Sequence, residues 1–175
     1  MRATVVTIVR RDAAMSRVTL TEEELDALQW TTLQYYIREE NYSNGLIADK
    51  TQAGSPASIA AVGMALATLP VAAERAHLPR ELMAERVLNK LRFFWTSPHG
   101  REPDATGYKG FYYHFLDMET GRRVWNCELS TIDSAFLFAG ALTAASYLHR
   151  DTEESTRSVT SATTRKRSTT CGTRR

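Results

Sequence analysis

Apolar positions along the chain recur with helical spacing in four stretches and alternate strand-fashion in one. Thr21-Glu22-Glu23-Glu24 opens the first stretch: Thr21 can cap, Glu24 completes a capping box, and the acids suit the positive end of a helix. Leu25, Leu28, Leu33, Tyr36 and Ile37 follow near helical spacing. Trp30 and Tyr35 fall off that stripe, which predicts a helix enclosed by others. Asn41-Tyr42-Ser43-Asn44-Gly45 ends it with residues suited to left-handed backbone. Ser55-Pro56 predicts a second start, a capping Ser with Pro at the first helical position. The Ala-rich segment that follows to Glu74 is apolar nearly all round and is expected to be buried, with a bend at Pro70. A third helix is predicted from Pro79 to about Trp95. Met83, Val87, Leu91, Phe94 and Trp95 form its core stripe, and Glu81, Glu85, Arg86, Lys90 and Arg92 lie mostly off it, towards water.

Ser97 to Gly110 is rich in Pro and Gly and reads as a loop. Phe111–Asp117 then alternates, and Thr120-Gly121 turns it back into Arg122–Cys127, a small β-hairpin. A fourth helix, Ser130 to about Leu148, is apolar on almost every side. No βα unit repeats, so a parallel α/β sheet is disfavoured and an all-α stack carrying a small hairpin insertion is expected. From Asp151 the character changes abruptly: twelve of the last 25 residues are Ser or Thr, and no helical or strand period survives. The predicted organisation is an N-terminal extension over 1–20, a helical unit over 21–150 and a disordered Ser/Thr/Arg tail over 151–175.

Charge alters this picture only at the end of the chain. Residues 1–150 hold 16 Lys and Arg against 17 Asp and Glu, and the tail holds six against three. The body is therefore no polyanion binder by bulk charge, and no nucleic-acid partner is expected, although a basic tail acting as a nucleic-acid or partner arm is a further reading. Cys127 and Cys171 lack metal-ligand neighbours in sequence, so neither a zinc site nor a disulfide framework is expected, and no metal or cofactor. The near-apolar run Ile59–Ala73 is short for a membrane span and is interrupted by Pro70. The mild apolar patch at residues 3–9 is shorter than a signal peptide requires. The expectation is a soluble chain without a membrane partner, cytoplasmic as written, or periplasmic if the true start lies upstream.

Candidate chemistry gathers near the fourth helix. Ser130-Thr131-Ile132-Asp133 has capping spacing, so Asp133 reads first as a helix cap. Glu128 lies at a strand-to-helix joint beside Trp125 and Tyr113 in the predicted hairpin, where desolvation can raise a carboxyl pKa as a general acid requires. Asp49 reads as a loop acid. His114 and Asp117 sit within and at the end of an aromatic strand, where His114 is either structural or part of a sugar platform with Tyr112, Tyr113 and Trp125. No phosphate-cradling glycine loop and no nucleophile elbow is present.

Several stretches together resemble one family. They are the run from Leu28 to Tyr36 (LQWTTLQYY), Asn44-Gly45-Leu46-Ile47-Ala48-Asp49, and the run from Ser55 to Gly63 (SPASIAAVG). The strongest are the run from Gly107 to Met118 (GYKGFYYHFLDM), Thr120-Gly121-Arg122-Arg123, and Glu128-Leu129-Ser130-Thr131-Ile132-Asp133. Over about residues 22–150 the chain resembles the N-terminal part of the bacterial glucoamylase-like (glycoamylase) domain, related to β-1,2-glucan hydrolases and to a domain of cyclic β-1,2-glucan synthases. The resemblance implies part of an (α/α)6 barrel that cleaves glucans or oligosaccharides without a cofactor through paired carboxyl groups. It implies Glu128 as acid or base, Asp133 and Asp49 as cleft carboxylates, and Tyr113, His114 and Asp117 as substrate contacts, with Trp125 joining them from the aromatic reading. Such a barrel needs many more helices than the four predicted here, and the matching pattern stops where the tail begins. The expectation is therefore a truncated glycoside hydrolase, its continuation replaced by a frameshift near residues 151–157, and inactive alone. The alternative is a non-enzymatic carbohydrate-binding or scaffold remnant.

Overall fold

A computed structural model of the chain describes residues 19–149. The tail expected over 151–175 and most of the extension expected over 1–20 lie outside the described residues. Within them the chain is mostly helical, with small antiparallel sheets. Its order is α1 (Glu22–Arg38), β1 (Ala57–Ser58), α2 (Ile59–Glu74), α3 (Arg80–Thr96), β2 (Gly107–Tyr108), β3 (Phe111–Tyr113), β4 (Phe115–Leu116), β5 (Leu129–Ser130) and α4 (Thr131–His149).

The capping box at α1 forms in both directions: the Thr21 hydroxyl accepts from the Glu24 N–H at 3.2 Å, and the Glu24 carboxylate accepts from the Thr21 N–H at 2.9 Å. The second helix begins later than Ser55-Pro56 predicts. The Pro56 carbonyl accepts from the Asp49 N–H, and Ala57–Ser58 pair antiparallel with Leu116–Phe115, so this backbone is committed to strand pairing until Ile59. The segment expected to be one strand, Phe111–Asp117, is split at His114 between two sheets. β3 lies between β2 and β5, with Tyr112 opposite Ser130 and Tyr113 opposite Leu129, while β4 pairs with β1. The expected hairpin survives as a bridge from Leu116 to Arg123, closed by the Asp117 to Gly121 turn. Its wider pairing was not legible, because two-residue strands carry no period to read.

α2 is the centre of the core. Ile59, Val62, Ala65, Leu66 and Leu69 are sealed from water together with Leu46 and Ile47, Met83 and Val87 of α3, Leu116 of β4, and Leu137 and Ala144 of α4. α2 and α4 cross where both are smallest: a Cβ on Gly63 would sit 2.4 Å from the Phe136 carbonyl oxygen, and one on Gly140 would sit 1.9 Å from the Gly63 carbonyl oxygen. Only glycine permits that approach.

Three burial expectations are corrected. Arg86 and Lys90 of α3, expected towards water, are buried. Spaced four residues apart, they face the same carboxylate: Glu40 accepts from both, and Tyr42 adds its hydroxyl and ring to Arg86. Burial pulls the Lys90 pKa down against the opposing pull of Glu40. Trp95, expected in the core stripe, is 90% exposed. α1 is not enclosed: it buries only Leu33 and exposes Leu28 and Trp30. α4 exposes Ile132, Phe136, Phe138 and Leu142 along its outer side. α4 also has the length and mean hydropathy of a membrane-crossing helix, but its Leu137, Gly140 and Ala144 face is packed against the core.

Candidate functional site

The joint between β5 and α4 carries the chemistry because it is both a helix start and a strand end. Ser130 caps α4, its hydroxyl accepting from the Asp133 N–H at 3.1 Å and donating to the Asp133 carboxylate at 2.5 Å. The capping reading of Asp133 therefore holds, and the same cap aims the carboxylate towards His114, whose Nε2 lies 3.6 Å from Asp133 Oδ2. His114 sits at the break between β3 and β4, bonded through its N–H to the Glu128 carbonyl and through its carbonyl to the Ile59 N–H. Its Nδ1 lies 2.7 Å from Glu128 Oε1. One imidazole thus links two carboxylates, one on each nitrogen.

Glu128 does not have the environment expected of it. Its side chain is 66% exposed, and its pKa is held below the ordinary carboxylate range by its own N–H and by the His114 ring, with Arg123 adding to the effect. Desolvation, which would have raised it, is outweighed. The group is poised as an anion, which suits a base or a stabiliser of positive charge rather than a resting acid.

The trio also has spacing that a cation can use, each residue offering one ligand atom within 4.8 Å of the others. In the arrangement described, the two nitrogens of His114 face separate carboxylates, Nδ1 within hydrogen-bond reach of Glu128 and Nε2 within ion-pair range of Asp133.

Beside the trio, residues 124–127 make a two-residue turn closed by the Cys127 N–H to the Val124 carbonyl at 3.0 Å. Trp125 and Asn126 hold φ of 53° and 52°, as a type I′ turn requires at both central positions. Arg123 clamps the turn, donating to the carbonyls of Asn126 and Cys127, each at 2.6 Å. Its guanidinium lies over the ring of the buried Tyr113, 4.2 Å from the centroid, so Tyr113 braces the clamp. Cys127 is spent on structure, its Sγ accepting from the Phe115 N–H and donating to the Phe115 carbonyl.

Asp117 holds the hairpin turn. Its Oδ1 accepts from the N–H groups of Glu119 and Thr120 and from the Thr120 hydroxyl, and the Thr120 bonds depress its pKa first. Asp49 lies apart from the trio. Its N–H donates to the Pro56 carbonyl, and its carboxylate is not among the ligand atoms that cluster within 4.8 Å at His114, Glu128 and Asp133.

The chain aligns in three dimensions with a candidate glucoamylase from Bacteroides uniformis, at 27% identity and a TM-score of 0.57 over 71% of this chain and 30% of that one. It also aligns with a β-1,2-glucanase from Parabacteroides distasonis, at 24% identity and a TM-score of 0.63 over 77% of this chain and 19% of that one. An endo-β-1,2-glucanase from Chitinophaga pinensis, solved with sophorotriose and glucose, matches at 17% identity and a TM-score of 0.56, over 70% of this chain and 30% of that one. The chain carries part of a glucoamylase-like glycoside hydrolase fold. No protein-family model and no curated protein sequence matches it. The chain spans between a fifth and a third of the length of these solved structures. In this glucoamylase-like segment, tertiary structure brings Glu128, His114 and Asp133 together and sets Asp49 apart. Sequence reasoning passed over Arg123. Its signal was the Arg122-Arg123 pair directly before an aromatic turn, although nothing in sequence showed which carbonyls it would reach.

Proposed function

We propose that this chain is the cleft-forming first part of an (α/α)6 glycoside hydrolase domain acting on glucans, β-1,2-linked or related, with Glu128, His114 and Asp133 working as one unit. The observation that carries the reading is the imidazole held between two carboxylates at the start of α4, in a segment whose solved likenesses are glucoamylase-like proteins and β-1,2-glucanases. Glu128, kept anionic, takes a proton from the attacking water or steadies the positive charge that develops at the sugar ring. His114 exchanges a proton with Glu128 through Nδ1, and Asp133, fixed by its cap, stabilises the imidazolium that forms.

The two carboxylate oxygens lie within 4.8 Å of each other, closer than the roughly 5–5.5 Å between the carboxyl groups of a retaining enzyme and well short of the roughly 6.5–9.5 Å of an inverting one. The trio therefore supplies one side of the reaction, and the carboxyl group facing it across the glycosidic bond comes from elsewhere in the domain. Asp49, which is not part of the trio, is a substrate-contacting carboxylate. On this reading the 175-residue chain binds glucan oligosaccharides but turns them over slowly or not at all.

The test measures binding of sophorotriose and maltotriose, and reducing-end release from β-1,2- and α-1,4-glucans, for the full chain and for its E128Q and D133N variants. Binding with little release, and loss of any release in both variants, is expected. The proposal is overturned if no oligosaccharide of either linkage binds, or if release is present and unchanged in both variants.

A further inference from the structure

Trp125 occupies a conformation that works against its own side chain. A bulky aromatic residue at φ 53° is strained, and at 73% exposure its side chain gains little burial in return. The clamp by Arg123 and the Cys127 bonds to Phe115 hold the turn in place. Strain that the surroundings over-determine, at an exposed tip, is characteristic of functional positions.

The indole lines a cleft of about 680 Å³ that lies outside the trio, within the usual range for small-ligand sites of roughly 300–1,000 Å³. Thr51, Gln52 and Ser55 from the loop before β1 line it as well, along with Glu39 and Asp117. Polar side chains such as Gln52 and Ser55 and apolar ones such as Met118 and Val124 line it together, which suits a sugar: the faces of a pyranose ring are apolar and its rim carries hydroxyls. The cleft is also coupled to the trio by rings. His114 stacks on Phe115 at 3.8 Å between centroids, and Phe115 meets Trp125 edge-on at 5.8 Å, so one ring separates the indole from the imidazole.

We propose that the Trp125 turn and the 51–55 loop form a separate sugar-ring subsite, in which Trp125 stacks on one glucosyl unit and sets which bond of the chain reaches His114, Glu128 and Asp133. This rests on the glucan reading above and adds a position to it.

The variant that tests it is W125N, because asparagine tolerates the left-handed backbone that tryptophan does not. Sophorotriose and maltotriose are titrated by calorimetry into the full wild-type chain, W125N and E128Q, and thermal unfolding is recorded for each. Expected are binding at least tenfold weaker in W125N, binding retained in E128Q, and a W125N Tm that is unchanged or higher by about 2–4 °C. If wild type binds and W125N binds as well, the subsite is wrong while the glucan reading stands. If wild type binds neither sugar, the glucan reading fails and the subsite with it. A lowered W125N Tm overturns the strain argument, since the indole would then be a packing residue.

Discussion

Replacing Gly63 with alanine should destabilise the chain, against the direction that helix propensity alone dictates. Gly63 lies inside α2, where an alanine is worth about 0.8–1 kcal/mol more than glycine in a free helix. In the fold, the added Cβ would stand 2.4, 2.5 and 2.6 Å from the Phe136 carbonyl oxygen, its carbon and the Leu137 nitrogen. These are backbone atoms of α4, so no side chain can rotate aside. Restoring ordinary contact at about 3.5–4.0 Å requires α4 to retreat by roughly 1 Å, a gap that forfeits up to half the dispersion contact along the crossing. Overpacking costs about 1–3 kcal/mol, and a backbone clash belongs at the upper end; less the propensity gain, the net loss is about 2 kcal/mol. For a chain of this size that is a fall in Tm of about 4–8 °C. Thermal and urea unfolding of the full chain, followed by circular dichroism, measures it. G54A is the control: Gly54 has φ 77° and open space around it, so its alanine carries only a backbone cost of about 1 kcal/mol. A G63A variant as stable as wild type, or more so, would refute the α2–α4 crossing. It would also undo the placement of Asp133, which rides on the first turn of α4.

Two further predictions follow from the buried and turn-holding charges. E40A leaves Arg86 and Lys90 buried without their shared acceptor and should cost about 3–5 kcal/mol in urea unfolding, whereas K90M, which keeps the Glu40–Arg86 pair, should cost well under half of that; equal losses would contradict the shared-acceptor geometry. Asp117 and Glu128 both have folded pKa values below their ordinary ones, so each contributes stability that is present above about pH 4 and lost as pH falls through the lowered value. D117N should therefore flatten the acid limb of a Tm-against-pH curve, and an unchanged limb would refute the role of its three Oδ1 bonds in holding the turn.

Local chemistry was legible wherever one short stretch decides the outcome. The Thr21 capping box, the Ser130-to-Asp133 cap and the helix from Pro79 could be read directly, because each depends on residues within a turn or two of one another. The helical nature of the apolar stretches was legible for the same reason, and so was the gathering of acids and aromatics before the fourth helix. Burial was not, because period shows which residues share a face and never what covers that face. Lys90 is sealed by a glutamate fifty residues away, while Trp95, written as core by its spacing, lies in water.

The sequence by itself thus determined where helices start, which residues carry charge or aromatic rings, and the family likeness held in the run from Gly107 to Asp133. Tertiary structure alone decided that His114 sits between Glu128 and Asp133, that Asp49 is not part of that group, and that Glu128 is exposed, its pKa lowered rather than raised. It decided these because β3–β5 pairing folds the strand before His114 back onto the one after Glu128, β1–β4 pairing joins segments more than fifty residues apart, and a pKa depends on the neighbours such pairing supplies rather than on position along the chain.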